Sequence, residues 1–156
     1  MSRENKSISQ SDFLKTMPAV LIPLLPEALQ GIQIRQPWRF LIQFHYGEPW
    51  LHYEVSKARP QGGFEIGFHC ESRDNDLNRF LLYGFRQHLF ELKDELGESI
   101  EAEMWDRGWT KIYEVVAEEK LTTGYQEQEA NRLAEFIVCL HPIYVELRGQ
   151  VSRLYR

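Results

Sequence analysis

Cysteine is scarce in this chain. Cys70 and Cys139 are the only two, far apart and in no zinc or thiol-exchange spacing. That rules out a disulfide framework and makes a reducing compartment the simpler reading. Long apolar runs are missing too. The longest, Met17 to Leu29, is broken by Pro18, Pro23, Pro26 and Glu27, and it falls short of the ~20 apolar residues a membrane span needs. The first twelve residues hold no apolar stretch of the kind a secretory leader carries. Positive charge is in deficit, with 18 Lys and Arg against 23 Asp and Glu and a net charge of −5. The deficit argues against nucleic acid or an anionic membrane as the main partner. A cytoplasmic location is therefore expected. The familiar catalytic signatures are absent as well: there is no phosphate loop, no Gly-Xaa-Ser-Xaa-Gly elbow and no His-Glu-Xaa-Xaa-His helix.

What is there is a chain of 156 residues, 43% hydrophobic and 13% aromatic, the composition of one globular domain. A chain of this length buries roughly 68–70% of its unfolded surface. The acidic excess gathers in residues 61–120, so a cationic partner is sought there. Residues 1–11, rich in Ser, Asn and Lys, read as a loose terminus of a single 1–156 domain. The prolines that follow forbid one long helix, and a short helix from Pro26 to Gly31 fits.

Three alternating runs come next. Trp38, Phe40, Ile42 and Phe44 mark one face of a strand over 38–45. Leu51, Tyr53 and Val55, then Phe64, Ile66, Phe68 and Cys70, mark two more, with turns at 46–49 and 57–63. From Asp74 to Leu96 the period changes: Leu77, Leu81, Phe85, Leu89, Leu92 and Leu96 form a helical stripe, capped by Asp74 and stopped by Gly97. Residues 100–116 read as a hairpin turning at Asp106-Arg107-Gly108. Thr123 and Gln126 have capping-box spacing, and a last helix carries Leu133, Ile137, Leu140, Tyr144, Leu147, Val151 and Leu154 through Pro142. The expected fold is α+β: a five-stranded antiparallel sheet with helices on one face, in the order (α)-β-β-β-α-β-β-α.

This order resembles the type III secretion chaperone-like fold, a three-strand meander followed by a helix, a hairpin and a final helix. The resemblance is topological, spans about residues 24–155, and implies a small acidic dimer that binds other proteins. Residues Gly97 to Tyr113, with the Asn78-bearing helix before them, are similar to uncharacterised bacterial domains found alone or behind restriction-nuclease-like domains. That similarity implies no catalytic residues.

The pattern with most chemical content is doubled. His52-Xaa-Glu54 and His69-Xaa-Glu71 each place an imidazole and a carboxylate on the same side of a strand. His45, Glu65, Glu101 and Glu103 share that side. Such a set binds a divalent metal or works as a general acid–base pair, which would make a metal-dependent hydrolase or nuclease-accessory domain. The simpler expectation is the ordinary solvated face of a half-buried sheet, with no cofactor, no metal and no catalytic residue. Trp105 and Trp109 flank the hairpin turn and are candidates, with that polar face, for ligand or partner contact. Trp38 reads as core, as do both cysteines.

The last helix, if straight, overhangs a domain this small. Its stripe through Tyr144, Leu147, Val151 and Leu154 then needs a partner surface, and Leu82, Tyr83 and Phe90 supply a candidate. The sequence therefore leads to a non-enzymatic protein-interaction or ligand-binding domain, self-associating as a homodimer through that helix. A different protein is the other partner class that fits.

Overall fold

The computed structural model describes residues 5–58 and 62–154, with the side chains of 152–154 left aside. It is α+β. Helices α1 (Gln10–Lys15) and α2 (Met17–Leu21) precede 3-10 turns at Ile22–Leu24 and Glu27–Leu29. Strands β1 (Gln33–Trp38), β2 (Leu41–His45), β3 (Leu51–Lys57) and β4 (Phe64–Cys70) follow. Helices α3 (Asn75–Gln87) and α4 (Leu89–Leu96), strands β5 (Glu101–Met104) and β6 (Thr110–Val116), and helix α5 (Thr123–Leu154) complete the chain. No described helix is long and apolar enough to cross a membrane.

The sheet has six antiparallel strands in the order β1-β2-β3-β4-β6-β5. The expected five omit β1. Its sequence, Gln-Ile-Arg-Gln-Pro-Trp, is mostly polar and contains a proline, which only an edge strand tolerates. The chain turns back at Arg39-Phe40, so that Trp38 pairs with Leu41. The single strand expected over 38–45 is therefore a hairpin. Ile42 and Phe44 stay on the core face, whereas Trp38 is 67% exposed and Phe40 lies on the surface.

Alternation delivers one apolar face: Phe44, Tyr53, Phe68 and Ile112 join Leu81, Phe85, Leu133 and Ile137 of the helices in one core. Asp74 caps α3 through the Asp76 and Leu77 amides, and Gly97 ends α4, as the sequence predicts. The stripe between them is two helices, because the chain leaves helical geometry at His88. Gly84 brings α3 against α5: a Cβ there would lie 2.4 Å from a Leu147 methyl.

Two terminal expectations change. The amino-terminal segment is tied down from Asn5 onward, with Lys6 and Ile8 bonded to Thr123 and Leu121 and a bridge between Ser7 and Thr122. Residues 1–4 lie outside the described residues. The capping box is also redirected. Thr122 accepts the Tyr125 amide, while the Gln126 side chain donates to the Phe13 carbonyl and to Thr16 Oγ1, stapling α5 to α1.

Helix α5 passes through Pro142 without ending. Tyr144, Leu147 and Val151 are buried in the chain's own core, as is Leu82 on α3. The overhang that suggested a dimer seam is absent over these residues, because α3 and the sheet cover the stripe. The Leu154 side chain falls outside the described residues. Of the proposed seam, Tyr83 and Phe90 remain at the surface, Phe90 88% exposed.

Candidate functional site

The face of the sheet turned away from the helices is where sequence and structure diverge most. Register places His52 of β3 directly opposite His69 of β4, and Lys111 of β6 opposite His69 on the other side. Each Glu two residues along shares the face of its His. Glu54 therefore stands opposite Gly67, and Glu71 just beyond the end of β4. The sequence predicts solvated side chains here. Instead His52 is 2% exposed, His69 3% and Glu54 6%. Gln43 and His45 of β2 are buried with them. This is a buried polar layer, and such layers persist only when their groups find partners.

The partners are specific. The His69 Nε2–H donates to Glu65 Oε2 at 2.8 Å, and its Nδ1–H donates to Glu71 Oε2 at 3.0 Å. Glu54 lies 3.7 Å from the same ring. A ring with carboxylates at both nitrogens must donate twice, which makes it an imidazolium. Burial works against that charge, but the Glu54 charge and the bonds to Glu65 and Glu71 raise its pKa to about 10. Burial likewise opposes the Glu54 carboxylate, yet His69, His52 and the Gln43 amide hold its pKa at about 2. Lys111 Nζ reaches Glu65 Oε1 at 2.6 Å and sits over the Tyr113 ring, 4.1 Å from its centroid.

His52 differs from its neighbour. Its Nδ1–H donates to the Pro49 carbonyl at 2.7 Å, while its Nε2 is buried without a hydrogen-bond partner. That nitrogen faces Glu54 Oε1 at 3.4 Å and Glu71 Oε2 at 3.7 Å. His52, Glu54, His69 and Glu71 thus offer four ligand atoms, all within 4.8 Å of one another. Two nitrogens and two carboxylate oxygens at such spacing are a donor set a divalent ion can use.

Beside this layer lies a cleft of about 510 Å³. Its floor is Glu54, Glu65, His69, Lys111 and Tyr113, and its walls are Phe40 and Trp105. Gly67 makes the floor possible, because a Cβ there would lie 2.7 Å from the Tyr113 Cβ and 2.8 Å from the Ile112 carbonyl oxygen. Trp105 meets His69 edge-on at 5.8 Å and Trp109 at 5.4 Å between ring centroids. The hairpin carrying both is held from below. Buried Asn78 bonds the Ser72 backbone and the Gly108 carbonyl, and Thr110 donates to the Asn78 carbonyl. No family model, curated protein or solved structure matches this chain.

Of the residues singled out from sequence, His52, Glu54, His69 and Glu71 converge. Trp105 and Glu103 stand at the cleft, Glu103 accepting the Tyr113 hydroxyl. Trp109 is half-buried behind Trp105. Lys111, Tyr113 and Phe40 were not singled out. Alternation along β6 puts Lys111 and Tyr113 on the polar face, and that period was the available signal. Cys70 is buried in the core, where desolvation pushes its thiol up to about 12, and Cys139 is half-buried beside Glu95.

Proposed function

We propose that the chain is a ligand-binding domain whose site is the cleft on the open face of the sheet. The observation that supports this is the pairing of exposed Phe40 and Trp105 across a floor of polar groups bonded to one another, with Glu54 and His69 buried in it. Aromatic walls over a polar floor suit a planar molecule with a polar edge. The floor is pre-organised, since His69 and Lys111 hold Glu65 in place before a ligand arrives. Less ordering free energy is then lost on binding. The ligand class is a small heteroaromatic compound, stacked on Trp105 with its polar edge toward Lys111 and Ser56 on the cleft wall.

Ligand-observed NMR against a set of small heteroaromatic compounds tests this reading. Compounds that bind the wild type should lose their signal in Trp105→Ala, a substitution at the exposed cleft wall. A set without binders, or binders indifferent to Trp105→Ala, would contradict it.

A further inference from the structure

We propose that His52, Glu54, His69 and Glu71 form a site for one divalent transition-metal ion. The inference goes beyond the cleft reading and stands whether or not the cleft takes an organic ligand.

Four observations converge on it. The first is the orientation of His52. A carbonyl only accepts, so the bond to Pro49 at 2.7 Å puts a proton on Nδ1 and, in the neutral ring, leaves Nε2 with a lone pair. Ligating histidines have this arrangement, one ring nitrogen tethered to a backbone carbonyl and the other presented to the ion. The second is what that lone pair faces. Nε2 is buried, has no hydrogen-bond partner, and looks at Glu54 Oε1 and Glu71 Oε2. Three electron-pair donors pointed at one another in a buried space are reconciled by a cation between them.

The third is charge. Ligation displaces a proton from His69 to solvent and leaves both imidazoles neutral, so that Lys111, paired with Glu65, is the cation set against Glu54, Glu65 and Glu71. Two negative charges remain, the charge one divalent ion cancels. The fourth is spacing. Bonds of about 2.0–2.2 Å set neighbouring ligand atoms roughly 3.3–3.6 Å apart around a tetrahedral ion. Here His52 Nε2 lies 3.4 Å from Glu54 Oε1 and 3.7 Å from Glu71 Oε2, His69 Nε2 lies 3.7 Å from Glu54 Oε2, and one ligand atom from each of the four lies within 4.8 Å of the others. Glu71 is the least buried of the four and stands at the rim, which gives an ion a way in.

The donor set also selects the ion. Two imidazoles suit zinc and its first-row neighbours and disfavour Mg²⁺, which prefers oxygen and keeps its water. Cys70 adjoins the site in sequence but points to the core face, so no thiolate competes.

The test is calorimetric titration of Zn²⁺ into chelator-treated, dialysed protein, with His52→Ala and Glu71→Gln checked for folding by circular dichroism. The wild type should take up one equivalent, and each folded variant should bind at least tenfold more weakly. Millimolar Mg²⁺ should leave the titration unchanged. Absence of a one-to-one site in the wild type would overturn the proposal, as would affinity unchanged in a folded variant, the result if half-buried His88 were the binder. Displacement of Zn²⁺ by Mg²⁺ would overturn the two-imidazole assignment. If His52→Ala does not fold, Glu71→Gln at the rim decides.

Discussion

Replacing His69 by Ala removes the one cation that the Glu54, Glu65 and Glu71 carboxylates share, and the size of the effect discriminates between two pictures of this face. On a solvated sheet face, ion pairs of this kind contribute about 0–1 kcal/mol, because water and salt take over when a partner is lost. In a buried layer the carboxylates left behind cannot be rehydrated cheaply, and breaking such a pair costs about 3–5 kcal/mol. His69 is 3% exposed, with carboxylates at 2.8 and 3.0 Å, so the second picture applies. Lys111 continues to neutralise Glu65 at 2.6 Å, which places the expected loss toward the lower end, about 3 kcal/mol. A domain of this size has about 5–15 kcal/mol of stability, so the variant should still fold. Urea denaturation in the presence of chelator measures the change as a shift in midpoint at unchanged slope. His69→Gln, which keeps one hydrogen bond without the charge, should fall between. A loss below about 1 kcal/mol for the Ala variant would refute the reasoning, since the face would then be solvated after all.

Three further outcomes follow from the same packing. Gly67→Ala should cost at least ~2 kcal/mol by thermal or urea denaturation, because a Cβ 2.8 Å from the Ile112 carbonyl oxygen must push β4 and β6 apart; a neutral substitution would contradict the register. Asn78→Ala should cost about 1–3 kcal/mol and redden the tryptophan emission, because the Ser72 and Gly108 backbone groups lose their partner and the hairpin under Trp105 loosens; an unchanged spectrum would show that Asn78 does not hold the hairpin. Glu129 is buried near the Glu114 and Glu119 charges, and desolvation first, then those charges, raise its carboxyl from 4.5 to about 7. The folded chain then binds the extra proton, so this group's contribution is present below pH 4.5 and lost as pH rises to about 7. Glu129→Gln should accordingly gain about 1–3 kcal/mol on the wild type across that window; parallel stability curves for the two would contradict the shift.

The order of the main elements was readable because alternation and the helical stripe are properties of single segments. Phe64 to Cys70 has to be a strand with Phe68 inward, and Asp74 has to open a helix. Other features depend on neighbours. Strand β1 carries little alternation of its own and exists because β2 pairs with it on either side of an irregularity between Arg35 and Trp38. The break at His88 has no glycine or proline to announce it. The last stripe showed that Leu147 would be buried but not by what, and Gly84 is the residue that lets α3 cover it. On the polar face, spacing placed His52, Glu54, His69 and Glu71 on one side of the sheet. It carried no information on depth. Trp105, Glu65 and the Lys111 that Glu65 holds gather at His69, contacts that a period of two does not encode.

The claim on which the account turns is that this layer is a built binding site. Long-range ¹H–¹⁵N spectra of the five imidazoles, recorded with and without one equivalent of Zn²⁺, test it most directly. The account predicts that the His52 and His69 ring nitrogens move while those of His45, His88 and His141 stay in place. Shifts confined to His88, or five unchanged imidazoles, would contradict it.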